Sequence, residues 1–182
     1  MKVTTRVSAL VAAGALFAAT QAHADWTGSA GYSHFSISDS GINADLGVVY
    51  ATLGYRLDLG NGLVLIPEGR LGVGIIDDTV TVQGQRFDIE IDDIFGGMTR
   101  FQYEFANGAY LFAAPSYTRI STSGGTTLPG GQRISASGNS WEFGVGAGIG
   151  YRFTPQLGGE FSYESIDGED VFNFGARFRF GN

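Results

Sequence analysis

The chain has 182 residues, with 11 Lys and Arg against 18 Asp and Glu and a formal net charge of −7. It has no cysteine, which excludes a disulfide scaffold and leaves hydrogen-bonded closure and packing to hold the fold. So acidic a balance is a poor match for a polyphosphate, and no nucleic-acid partner is expected.

Lys2 and Arg6 make a short basic start, Ala9 to Ala19 is an apolar run, and Ala22-His23-Ala24 is a small-x-small site. This is the pattern of a secretory signal peptide over residues 1–24, cleaved before Asp25. Residues 25–182 then form one domain by length. They carry nine arginines against 18 acids, a net charge of −9. No apolar stretch after Ala24 reaches the roughly 18 residues a membrane helix needs, so any membrane crossing must use strands. The 29 Gly, 14 Phe, 8 Tyr and 2 Trp suit twisted strands and tight turns.

Alternation of period two predicts eight strands. The first runs from Trp26 to about Ser38. The second covers about Leu46 to Leu59, and Gly60-Asn61-Gly62 follows as a hairpin turn. The third starts at Leu63. The fourth ends at Phe105 before the turn Ala106-Asn107-Gly108. The fifth covers about Ala109 to Ile120. The sixth runs from Trp141 to Phe153, before Thr154-Pro155-Gln156. The seventh carries Phe161 and Tyr163. The eighth, Val171 to Phe180, sets Phe172, Phe174, Phe178 and Phe180 on one face and Arg177 and Arg179 on the other. The other four connections, about 39–45, 77–92, 121–139 and 166–170, are longer or charged.

One face of each strand is apolar: Leu53, Leu71, Phe101, Phe143, Phe161 and Phe178 share a phase and are expected to meet lipid. The opposite face carries Arg56, Glu68, Arg70, Arg100, Glu104, Glu142, Arg152, Glu160, Glu164, Arg177 and Arg179. A soluble ligand-carrying barrel has the reverse plan. The fold class is therefore all-β, an eight-stranded antiparallel up-and-down transmembrane β-barrel with a paired charge network inside. Gly144, Gly146, Gly148 and Gly150 are expected to leave room there for long arginines.

The signal peptide, the opening Trp26-Thr-Gly-Ser-Ala-Gly-Tyr32 strand, the dyad repeat and the aromatic last strand together resemble the small OmpA/OmpX/Ail-type outer-membrane barrels. The resemblance covers nearly all of residues 25–182. It implies a bacterial outer-membrane location, contact with outer-membrane lipid and lipopolysaccharide, and no cofactor. It also implies delivery by the barrel-assembly machinery, through a terminal signal that includes Gly175, Phe178 and Phe180.

In the second outer connection, Thr79 to Val82 and Phe87 to Ile91 both alternate. They predict a hairpin over 76–92, with a bulge near Asp77-Asp78 that puts Val80, Val82, Phe87, Ile89 and Ile91 on one exposed, partner-binding stripe in phase with Phe95. Ser121 to Asn139 reads as a Gly/Ser/Thr-rich loop. Asp77, Asp78, Asp88, Glu90, Asp92, Asp93, Asp167, Glu169 and Asp170 read as solvated surface charge rather than a cation site, since no calcium-loop spacing is present.

The leading function is non-enzymatic: an outer-membrane barrel binding an extracellular protein partner through its outer loops, or bracing the membrane. Two others compete. His34-x-Ser36 has the spacing used by lipid A deacylases, which makes a lipid A-modifying enzyme an alternative. A small pore is the other.

Overall fold

A computed structural model describes residues 25–39, 42–82, 85–127 and 133–180. The expected signal peptide, 1–24, lies outside the described residues. The strands are β1 (Trp26–Asp39), β2 (Ile42–Tyr55), β3 (Leu57–Gly60), β4 (Leu63–Ile76), β5 (Asp78–Val82), β6 (Gln85–Glu104), β7 (Ala109–Thr127), β8 (Arg133–Arg152), β9 (Leu157–Ile166) and β10 (Glu169–Phe180).

These ten strands make eight staves. β2 and β3 are one stave broken at Arg56, and β4 and β5 are one broken at Asp77. Every neighbour is antiparallel. The ring closes because β1 pairs with both β2 and β10, while β4 pairs with both β2 and β6. Closure removes the edges a hydrocarbon layer does not tolerate.

At the end that carries the termini the turns are tight. Gly60, Asn61 and Gly62 all take positive φ, and so does Gly108. The Thr154 hydroxyl accepts the amides of Gln156 and Leu157. At the far end the staves differ in height. Asp167 and Gly168, both at positive φ, join β9 to β10 in two residues, so the connection expected over 166–170 is a tight turn. The expected loop over 121–139 is instead a ladder that climbs from Ser121↔Asn139 to Thr127↔Arg133. Low-complexity composition concealed it, because the stabilisation comes from cross-strand backbone bonds that Gly and Ser allow as well as larger residues do.

Alternation is interrupted where β4 and β6 leave the ring. β4 slips against β2 between Gly47 and Val48, and β5 resumes one position out of register with β6. β6 itself slips against β7 between Ile91 and Asp93. That last slip reverses the phase of β6, so Ile91 (1% exposed) and Ile94 (2%) are both buried although three apart, while Phe95 is 56% exposed. Bulges re-aim side chains in this way.

The outer wall is apolar. Leu53, Leu71, Phe101, Phe143, Phe161 and Phe178 are all exposed on it. Rings mark both rims: Trp26 against Tyr55 and Tyr103 against Phe105 at the terminal end, Trp141 stacked on Tyr117 at 5.1 Å at the far end.

Candidate functional site

The lumen is built in storeys. Side chains alternate across each stave, so polar residues far apart in sequence meet on the barrel axis. The upper charged storey joins β4 to β9: Arg70 donates from Nη1 to Glu164 Oε2 (2.6 Å) and from Nη2 to Glu164 Oε1 (3.1 Å) and Thr118 Oγ1 (2.6 Å). The Ser116 hydroxyl also donates to Glu164.

The middle storey is a closed ring of four charges. Arg177 donates to both oxygens of Glu68 (2.8 and 3.2 Å) and to Glu160. Arg100 donates to both oxygens of Glu160 (2.8 and 2.9 Å) and lies 3.5 Å from Glu68. The Tyr110 hydroxyl donates to Glu160 at 3.0 Å, and the Arg100 guanidinium lies 3.5 Å over the Phe112 ring. Across these two storeys three arginines face three glutamates, all buried, so the interior charge cancels. Bidentate pairs suit arginine's fixed fork.

The lower storey is Arg56 and half-buried Arg152 on Glu104, at 3.0 and 2.8 Å, with Gln102 donating to the same carboxylate. Arg179 sits below it at the mouth, 3.4 Å from Asp25.

Glu142 stands apart from this network. It is half-buried opposite Thr118 and forms no ion pair among the described residues, because β9 ends opposite Gly144 and brings no arginine to that height. The inward glycines also differ from expectation. A Cβ at Gly150 would lie 2.2 Å from the Tyr110 ring, and one at Gly148 would lie 2.4 Å from that of Phe112. They make room for aromatic rings, and Gly144 for the Glu164 carboxylate, rather than for arginines. Between the side chains remain voids of about 40 and 30 Å³, room for isolated waters.

Above the charges lies a feature the polar-lumen reading missed. Phe35, Leu46, Val48, Ile91, Ile94, Ile166 and Val171 form a buried apolar plug, with Ile37, Tyr50, Ile89 and Ile120 against it. The expected exposed stripe belongs to this inner side: Val80 pairs directly with Phe87, and Val80 is 7% exposed. Ile89 and Ile91 pack into the plug. The phase reversal at Asp92 turned them inward. The side chain of Val82 lies outside the described residues.

Of the terminal-signal residues, Gly175 faces inward beneath the Tyr50 hydroxyl, Phe178 is on the outer wall and Phe180 pairs with Trp26. His34 Nε2 lies 3.3 Å from Asp45 Oδ1, a carboxylate that spacing along the chain does not single out. Among the described residues no hydrogen bond joins His34 to Ser36, and no three His, Asp or Glu side chains are grouped to hold a metal.

Beyond the ring, β5, β6, β7 and β8 continue as a four-stranded sheet. Its β8 border has no partner among the described residues, because β9 stops at Ile166, opposite Gly144. Residues 134–141 along that border are all exposed.

The outer membrane protein β-barrel domain family matches residues 8–180. The chain belongs to that family. No curated protein sequence matches it. Its fold is similar to that of Ail, the attachment invasion locus protein of Yersinia pestis, solved with the heparin analogue sucrose octasulfate. The two are 19% identical, with a TM-score of 0.56, over 87% of this chain and 100% of that one. Neisserial surface protein A is similar at 16% identity and TM-score 0.51, over 85% and 96%. A major outer membrane protein of Thermus thermophilus is similar at 16% and 0.51, over 87% and 100%. As an outer-membrane barrel, the chain places the turns at Gly60-Asn61-Gly62, Ala106-Asn107-Gly108 and Thr154-Pro155-Gln156 toward the periplasm and the extended sheet outside the cell.

The base of that sheet is clamped by Asp78. Its carboxylate accepts the amides of Asp45 (2.9 Å) and Thr79 (2.7 Å). The Asp45 amide, then that of Thr79, holds the Asp78 carboxyl below the usual carboxylate range. A depressed pKa contributes stability above the unfolded value of about 3.9, lost as pH falls through the folded one. Protection of the Asp45 and Thr79 amides, measured against the intrinsic exchange rate at each pH, should therefore be high at neutral pH and fall only below about pH 4. In Asp78→Asn the acid-dependent step should vanish. A step of the same size in that variant would place the sensitivity elsewhere.

Proposed function

We propose that this barrel is a non-enzymatic binding protein of the outer membrane whose working part is the extracellular sheet, and whose lumen is a brace. The observation that carries this is the β8 border, which has no strand partner among the described residues and is exposed over 134–141. A free strand border of that length, about 27 Å, offers main-chain donors and acceptors to an extended segment of another protein. The charge nearby narrows the partner. Asp77, Asp78, Asp88 and Glu90 line one concavity with Ser135, Ala136 and Ser137 of β8, which disfavours a polyanion such as the one bound by Ail and favours a neutral or basic protein segment. Export through residues 1–24 and insertion by the barrel-assembly machinery, reading Gly175, Phe178 and Phe180, complete the proposal.

The test is adhesion of cells carrying the parent or a variant whose β7–β8 extension, 122–138, is replaced by a two-residue Asp-Gly turn. Binding to immobilised extracellular-matrix proteins should fall at least tenfold while heat-modifiable migration shows an intact barrel. Undiminished binding by a folded variant would sink the reading. In parallel, His34→Ala should leave the acyl count of lipid A unchanged by mass spectrometry. Loss of an acyl-chain modification in that variant would establish the enzyme instead.

A further inference from the structure

We propose that the outer wall over β4, β6 and β7 holds a seat for one acyl chain of a phosphate-bearing outer-leaflet lipid, with Arg119 binding its headgroup. The wall there is dented. A shallow depression of about 560 Å³ is floored by Pro67, Gly69, Gly97 and Pro115 and brimmed by Tyr117 and Phe143.

The glycines of the floor are unlike those inside. Gly69 and Gly97 are direct cross-strand partners. A Cβ added at Gly69 would meet nothing closer than 4.0 Å, and one at Gly97 nothing closer than 3.6 Å, which is ordinary contact. Neither has positive φ. Neither the barrel's packing nor its backbone therefore requires glycine at these positions, and glycine inside a strand weakens it. The surrounding wall carries Leu71, Phe95 and Phe101, all exposed. The missing side chains make sense if something outside the protein fills the space. Proline and glycine lose no rotamer freedom when a chain packs on them, so this floor suits a flexible hydrocarbon tail.

The headgroup position is equally specific. Arg119 is the cross-strand neighbour of Phe95 on one side and Trp141 on the other, two residues beyond Tyr117. That places it about 7 Å above the brim, at the level of the aromatic girdle and the lipid headgroups. Its nearest acid is Asp93 at 4.0 Å, too far for a hydrogen bond. The arginines of the charge network point into the lumen or its mouth, so this half-exposed cation is available to a phosphate monoester.

Trp141 reports on the seat, because it stacks on Tyr117. A Trp26→Phe background leaves Trp141 as the single tryptophan of the two in the chain. That protein is placed in phosphatidylcholine vesicles containing equal fractions of acyl-brominated phosphatidic acid or acyl-brominated phosphatidylcholine. Quenching should show about a fivefold preference for the acid lipid, the effect of one arginine at the interface. Arg119→Gln should bring the preference to about one. Gly97→Leu, whose Cβ would meet nothing closer than 3.6 Å, should lower quenching by both lipids. Equal quenching in the parent, a preserved preference in Arg119→Gln, or undiminished quenching in Gly97→Leu would each overturn the proposal. So would a Trp141 shielded from both lipids until the protein is diluted in the bilayer, because a second copy of the chain would then fill the dent.

Discussion

Arg177→Ala should destabilise the folded barrel by about 3–5 kcal/mol, the cost of leaving buried charges without their partner. Arg177 is 8% exposed and is shared by Glu68 and Glu160, so its removal takes one of two cationic partners from each of two carboxylates on the barrel axis. Arg100 still faces both, which keeps the loss at one partner's worth rather than the whole ring. Glu142→Ala is the control. It removes a charge of the same phase that has no ion pair among the described residues, and should change stability by no more than about 0.5 kcal/mol. Urea unfolding in vesicles, followed by the folded-to-unfolded shift in electrophoretic mobility, measures both. Equal effects would mean that water screens the lumen and the ring contributes little.

Leu46→Ala should cost about 2–5 kcal/mol, because it removes a fully buried side chain from a closed site. Leu46 has 0% exposure at the centre of the apolar plug, among Phe35, Val48, Ile166 and Val171. The same urea experiment measures the loss. Planar-bilayer recording adds a second readout, since the plug closes the lumen above the charged storeys. The parent should be silent. A parent that conducts steadily would show that the plug is not a seal and would favour the pore. A loss below about 1 kcal/mol in Leu46→Ala would show that the upper lumen packs loosely.

The two variants probe the two halves of the interior, and only one half was legible from sequence. The charged storeys were, because Glu68, Arg70, Arg100, Glu160, Glu164 and Arg177 lie in phase on staves whose outward faces are plainly apolar. Alternation alone assigns such residues to the inside. The plug was not. Leu46, Val48 and Val171 sit on the same inward phase, but an apolar residue among apolar neighbours carries no periodic signal. Ile91 reached the plug only through the slip at Asp92. The bulge at Asp92 is one extra residue and, unlike the one expected near Asp77-Asp78, it leaves no break in the alternation of Phe87, Ile89, Ile91 and Phe95.

What the sequence by itself determined is the set of properties that depend on local alternation and on turn chemistry. These are an all-β chain, eight staves, tight turns at Gly60-Asn61-Gly62 and Ala106-Asn107-Gly108, a lipid-facing phase with Leu53, Phe101 and Phe178, and a charged inner phase. Only the tertiary structure decided which charges meet, because Arg70 and Glu164 are 94 positions apart and come together through closure of the ring. It also decided that Glu142 finds no ion pair among the described residues, that Val80 and Ile91 face inward, that β8 rises beside no described neighbour, and that Gly97 lies over open space while Gly150 lies under a ring. Each of these follows from the relative heights and registers of staves distant in sequence. Those are fixed by the balance of all the cross-strand bonds at once, and no single strand encodes them.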